Sequence, residues 1–164
     1  MDLIVGQDGV ARWGDRTMRC AIGRGGVRSD KREGDGGTPR GTFALRRLLY
    51  RPDREAPPRT ALPAQALDPA DGWCDAPPDS AYNLMIRLPY PASAESLWRA
   101  DGIYDLIVPL GYNDDPVIAG RGSAIFLHLA RPEFTPTEGC VALGHDDLLT
   151  VLAEADADSR VIVS

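Results

Sequence analysis

The chain has 164 residues, 43% hydrophobic and 26% charged, with three cysteines and a net charge of −6. That length suits one well-buried core, so residues 1–164 are expected to form a single domain. The acidity argues against a nucleic-acid partner, no stretch approaches the ~20 apolar residues of a membrane span, and three cysteines do not make a disulfide framework.

In chain order, "DLIV", "GQDG" and "ARW" predict a strand, a tight turn and a returning strand, and "TMRCAIG" predicts a third strand. The polar loop "RGGVRSDKREGDGGTPRG" follows, and loops of that length are usually functional or disordered. Its basic residues Lys31, Arg32 and Arg40 either edge a substrate cleft or stand in solvent. "TFALRRLLYR" reads as one strand. From Pro52 to Pro78 proline density excludes a regular helix or central strand. Leu62, Leu67 and Trp73 are apolar anchors there, which predicts an ordered excursion over the surface.

"YNLMIRLPY" reads as a strand, and "SAESLWR" as a short helix capped by Ser93. "YDLIVPLGYN" and "GSAIFLHLA" are further strands, the second apolar enough to be buried on both faces. Leu148, Leu149, Val151, Leu152 and Ala155 repeat at helical spacing, with Asp146 and Asp147 in the first turn. "RVIVS" closes as a strand. Many short strands with one or two short helices predict a mainly β domain, a sandwich or partial barrel.

One constellation carries chemistry. Cys140 follows Gly139 at the end of a polar loop, an accessible place for a thiol, and His128 lies twelve positions upstream on an apolar strand. A free thiol is only a few per cent ionised at neutral pH, and a neighbouring imidazole can take its proton to leave a thiolate–imidazolium pair. Glycine beside the cysteine lets a carbonyl approach the backbone, so the amides of residues 139–141 are candidates for an oxyanion hole. A histidine on an apolar strand is more often a core residue bonded to backbone, so the pair alone leaves catalysis open. His128, Cys140, His145 and Cys74 lack the spacing of a zinc site. Cys20 and Cys74 read as packed small hydrophobes, and Tyr82, Asn83, Trp98 and Asp105 as packing or cleft lining. The glycine-rich loop lacks the spacing of a phosphate cradle.

"SAIFLHLARPEFTPTEGCVAL", together with "GDGGTPRGTF", resembles the L,D-transpeptidase catalytic domain, or YkuD, family. That family has a His ahead of a Ser/Thr-x-Gly-Cys motif and an early Thr-Pro-x-Gly-x-Phe segment. Here these are His128, Thr137-Glu138-Gly139-Cys140, and Thr38-Pro39-Arg40-Gly41-Thr42-Phe43. Where many members have Arg two places after the cysteine, this chain has Ala142. The resemblance implies an L,D-transpeptidase-like β fold and acyl transfer on peptidoglycan stem peptides. Cys140 would be the nucleophile and His128 the base, its ring oriented by a backbone carbonyl. Thr137, Glu138, Val141 and Arg40 would contact substrate.

The products would be 3–3 cross-links, or trimmed stems if water is the acceptor. No cofactor is implied, and a monomer is expected. The activity implies the cell envelope or periplasm, whereas the first twenty residues show no export leader, which leaves the cytoplasm open. The alternative is a non-catalytic module that keeps the fold and binds wall fragments or a partner protein.

Overall fold

Alternation of apolar and polar side chains sets the first strands of the computed structural model, which describes residues 1–164. In β1 (Leu3–Val5), Leu3 and Val5 are buried and Ile4 is exposed. With β2 (Val10–Trp13) and β3 (Arg16–Ala21) it forms the expected antiparallel meander. β4 (Val27–Arg28) and β5 (Thr38–Pro39) pair inside the polar loop, which is therefore ordered.

The strand expected in "TFALRRLLYR" is two strands, β6 (Gly41–Ala44) and β7 (Leu48–Tyr50). Three residues separate them in sequence, yet they lie near opposite ends of one ten-stranded sheet. A sheet whose ends are joined by so short a link must curl, and a Leu45–Leu110 bridge spans the gap. The result is a partial barrel. β8 (Ala64–Ala66) extends its far edge beside β7.

The proline-rich excursion is ordered, with Leu62, Leu67 and Trp73 all buried. It contributes β9 (Asp71–Cys74), flanked by β10 (Met85–Arg87) and β11 (Ala94–Ser96) in a small separate sheet. The short helix expected in "SAESLWR" is strand β11 instead. Residues 94–96 pair with Cys74, Trp73 and Gly72, and two isolated helical turns are too short to compete with that ladder.

The large sheet is completed by β12 (Leu106–Pro109), β13 (Phe126–Leu129), β14 (Val141–Leu143) and β15 (Arg160–Val163). Its order is β6-β15-β1-β2-β3-β14-β13-β12-β7-β8. A single 3₁₀ turn (Pro132–Phe134) follows β13, and helix α1 (His145–Glu154) follows β14. Leu148, Val151 and Leu152 of α1 are buried, as their spacing predicted. No helix is long and apolar enough to cross a membrane.

The period-2 alternation sorts the core into two clusters. Leu106, Val108, Leu127, Leu129, Val141 and Leu143 join β1, β2, β15 and α1 in a cluster of 24 residues inside the curl. Ile107, Phe126 and Cys140 face the other way, toward Trp73 and Leu97 of the small sheet. Each face of the central strands thus has its own apolar cover.

Candidate active site

β13 and β14 run parallel, with Leu127 beside Val141 and His128 beside Ala142. Cys140 stands one residue ahead of β14, so it shares the outer face with Phe126 and His128. Cys140 and His128 line one cavity of about 110 Å³, together with Glu95, Arg99, Tyr104, Arg131, Thr137 and Glu138. Strand pairing therefore does what sequence separation conceals: it brings the histidine and the cysteine to one pocket.

The thiol is less open than its polar loop suggests, at 7% exposure. Its S–H donates to the Ala124 carbonyl (3.2 Å), and its sulfur accepts the Phe126 N–H (3.3 Å). Burial pushes the thiol up to about 12, with the Phe126 N–H opposing. Burial also pushes His128 down to about 4. The resting site is a neutral thiol beside a neutral imidazole, in place of the ion pair expected for an activated cysteine.

His128 Nδ1 lies 2.8 Å from the Leu129 carbonyl. A carbonyl only accepts, so Nδ1 carries the proton and Nε2 keeps its lone pair. The ring packs edge-on against Tyr104 at 5.3 Å. Tyr104 in turn sends its hydroxyl to both Glu95 oxygens, at 3.2 and 3.3 Å.

The loop before the cysteine is held by its own residues. Thr137 Oγ1 donates to the Cys140 carbonyl (2.7 Å) and accepts the Gly139 N–H (3.1 Å). Gly139 has φ +140°, and a Cβ there would lie 2.8 Å from the Gly37 carbonyl oxygen. The "GGTP" stretch is thus the brace of the cysteine loop. Thr38 is fully buried, and its hydroxyl accepts the Gly23 N–H at 2.8 Å.

The other expected contacts divide. Thr137 and Glu138 border the cavity, although Glu138 is tied to Arg24 at 2.9 Å. Val141 does not: its side chain is buried in the large cluster on the opposite face, because a strand residue next to Cys140 must point the other way. Arg40 lines a separate cleft of about 510 Å³ with Arg28, Arg32 and Arg121, which contains neither Cys140 nor His128. His145 pairs with Glu55 at 2.7 Å outside the cavity. Lys31, the chain's single lysine, is buried against Asp35 at 2.7 Å.

Glu95, Arg99, Tyr104 and Arg131 line the cavity without having been singled out by sequence. The first three come from β11 and the segment between it and β12, and no local pattern marks them. A hydrogen-bonded group behind the cavity fixes the segment that holds the thiol. Asn83 accepts N–H bonds from Trp73 (3.0 Å) and Ala124 (3.0 Å) and donates to the carbonyls of Tyr112 and Asn113. Glu33 accepts from Tyr82 (2.7 Å) and Ser123 (2.6 Å).

The L,D-transpeptidase catalytic domain (YkuD) family matches residues 5–163. Among solved structures, an L,D-transpeptidase from Mycobacterium smegmatis aligns at 13% identity with a TM-score of 0.49. The alignment covers 99% of this chain and 58% of that one, so this chain spans little more than half its length. No curated protein sequence matches.

Proposed function

The chain belongs to the L,D-transpeptidase catalytic domain family, and on that premise we propose that it is a cysteine acyltransferase acting on peptidoglycan stem peptides. Cys140 Sγ attacks the carbonyl of the third residue of a tetrapeptide stem, while the thiol proton passes to His128 Nε2. The C–N bond then breaks, D-alanine leaves with that proton, and a thioester remains on Cys140. An amine of a neighbouring stem takes the acyl group to give a 3–3 cross-link; water in its place gives a trimmed stem. Residues 1–164 act as one catalytic domain and as a monomer, at the cell envelope.

The observation that carries this reading is the His128 hydrogen bond. With Nδ1 committed to the Leu129 carbonyl, Nε2 is an acceptor nitrogen on a ring that lines the same cavity as the Cys140 thiol. The Phe126 N–H on Sγ supports charge developing there. Burial raises the thiol and lowers the imidazole, which disfavours a standing ion pair, so the proton moves as the C–S bond forms. Arg99 and Arg131 share one counter-ion, Asp101. Arg131, the farther of the two at 3.7 Å, is the guanidinium more open to a stem-peptide carboxylate.

The burial and neutrality of Cys140 favour a second reading, a binding module that keeps the fold without turnover. Intact-mass spectrometry with tetrapeptide-stem muropeptides separates the two. A D-alanine-releasing adduct that Cys140→Ala abolishes supports the enzyme. Stem binding that Cys140→Ala leaves intact, with no adduct on the wild type, supports the module.

A further inference from the structure

Two carboxylates line the cavity of Cys140 and His128, and they differ in their partners. Glu138 is paired with Arg24 at 2.9 Å. Glu95 has no cationic partner; its hydrogen bonds come from the Tyr104 hydroxyl alone. Arg99 directs its Nε and Nη2 to Asp101, at 3.0 and 2.7 Å, and makes no ion pair with Glu95. A partly buried carboxylate with one neutral donor carries a desolvation cost that a cation entering the cavity would offset.

The position of Glu95 is fixed. It pairs with Trp73 in the small sheet, and Tyr104, which holds both its oxygens, packs its ring against His128 and Phe126. Burial, with smaller contributions from the charges of Asp75 and Glu33, raises its carboxyl to about 7, against the lowering effects of Tyr104 and Arg99. Such a group exchanges a proton readily at neutral pH. The thiol step does not use it, because His128 serves that step.

We propose that Glu95 is the site of the acyl acceptor's ammonium group: it binds the incoming primary ammonium beside the Cys140 thioester and takes the proton that the nitrogen must lose to become nucleophilic. This rests on the thioester reading above. The acceptor R–NH₃⁺ gives one proton to the Glu95 carboxylate and becomes R–NH₂. Its nitrogen attacks the thioester carbonyl, and the new C–N bond forms as the C–S bond breaks. The second nitrogen proton passes through His128 Nε2 to the departing sulfur, restoring the thiol. Glu95 then releases its proton to solvent, so the net change is thioester plus ammonium to amide, thiol and one proton. Water carries no charge for Glu95 to bind, so the residue biases the enzyme toward transfer over hydrolysis.

The test starts from the isolated Cys140 acyl-enzyme and compares two acceptors. One is a stem tripeptide ending in lysine, whose amine is an ammonium ion below about pH 10. The other is hydroxylamine, which is uncharged at neutral pH. For Glu95→Gln, aminolysis by the tripeptide is expected to fall by ~10²-fold, while hydroxylamine loses less than about a tenth of that factor; Glu95→Asp recovers part of the loss. Equal losses for both acceptors, or no loss, overturn the proposal.

A second measurement needs no variant. The wild-type rate with the tripeptide should rise to about pH 7 and then level, whereas free-amine attack without Glu95 climbs tenfold per pH unit toward the amine's own pKa. An uninterrupted climb also overturns it. If the wild type forms no acyl-enzyme, the thioester reading fails and the proposal with it. An acyl-enzyme that forms but treats both acceptors alike removes Glu95 alone.

Discussion

Leu127 and His128 are neighbours in β13, yet they belong to different environments. Leu127 points into the 24-residue cluster with Val141, Leu143 and helix α1, where no titratable side chain is needed. His128 points toward Tyr104 and the cavity of Cys140, under a cover made by the small sheet. The inner face is closed by apolar packing, the dominant stabilising contribution in a domain of this size. The outer face is half apolar and half polar: Trp73, Leu97 and Phe126 exclude water, and Glu95, Tyr104, His128 and Cys140 share what remains. One pair of strands thus supplies apolar packing on one side and a polar, thiol-bearing pocket on the other.

Substituting the two neighbours should separate these roles. Leu127→Ala leaves a cavity in the inner cluster and is expected to cost about 2–5 kcal/mol, with the Cys140 adduct still forming below its lowered unfolding temperature. His128→Ala is expected to slow adduct formation by ~10²–10⁴-fold with a smaller loss of stability. Denaturant melts and adduct mass spectra on both variants check this. Loss of the adduct in both at temperatures where both are folded would break the division between the faces.

Acid should act mainly through the outer face. Burial holds His128 at about 4 against an ordinary 6.5. Between those values the unfolded chain takes up a proton that the folded protein refuses. This contribution is therefore complete above pH 6.5 and is lost as pH falls through 4, by roughly 3 kcal/mol. His145, bonded to Glu55 and raised, has the opposite sign: what it adds is present at low pH and fades as pH rises. Asp35 is held near 2 because hydrogen bonds from Lys31, Arg32 and Gly37 outweigh the burial that would raise it, so its own loss comes at lower pH. Glu95, raised by burial to about 7, also has the opposite sign over much of this window, so the His128 part is read as a difference: stability in thermal melts from pH 7 to pH 4 should fall more steeply in the wild type than in His128→Gln. An unchanged slope in that variant would assign the acid response elsewhere.

The inner face was legible in sequence because it depends on local periodicity. The first three strands, the α1 spacing and the last strand all follow from alternating or helical repeats read over a few residues. Cys140 and His128 were legible as motif residues, and strand pairing supplies the proximity that the motif does not encode. For Val141 the sequence did not show which side Cys140 points to, and with it that the Val141 side chain turns into the large cluster. For Arg40, charge alone does not say which cleft a loop borders, and it lines one apart from Cys140 and His128. Glu95, Arg99 and Tyr104 were illegible for a different reason. They reach the pocket only after the chain between β7 and β12 folds back, and "SAESLWR" carries a helical pattern that its pairing with β9 overrides.

Backbone strain follows the same division in part, with Glu133 and Phe134 of the turn after β13 as the two non-glycine residues of positive φ outside it. Asn83, Asn113 and Ala124 all have positive φ without being glycine, and all belong to the hydrogen-bonded group behind the cavity. Ala124, at φ +54°, presents the carbonyl that accepts the Cys140 S–H. For alanine the left-handed region costs about 1–2 kcal/mol, and Asn83, which accepts the Ala124 N–H, holds the residue there. Ala124→Gly relieves that strain but adds freedom to the unfolded chain worth about 0.5–1 kcal/mol, so its melting temperature should change little. Its effect should appear in the thiol instead. A glycine segment holds the acceptor carbonyl less firmly, and alkylation of Cys140 by iodoacetamide should quicken a few-fold, from a starting rate below that of an ordinary thiol because burial keeps the proton on sulfur. Unchanged alkylation in a variant of unchanged stability would mean that burial alone restrains the thiol, and that the strained segment serves the fold of the excursion and not the nucleophile.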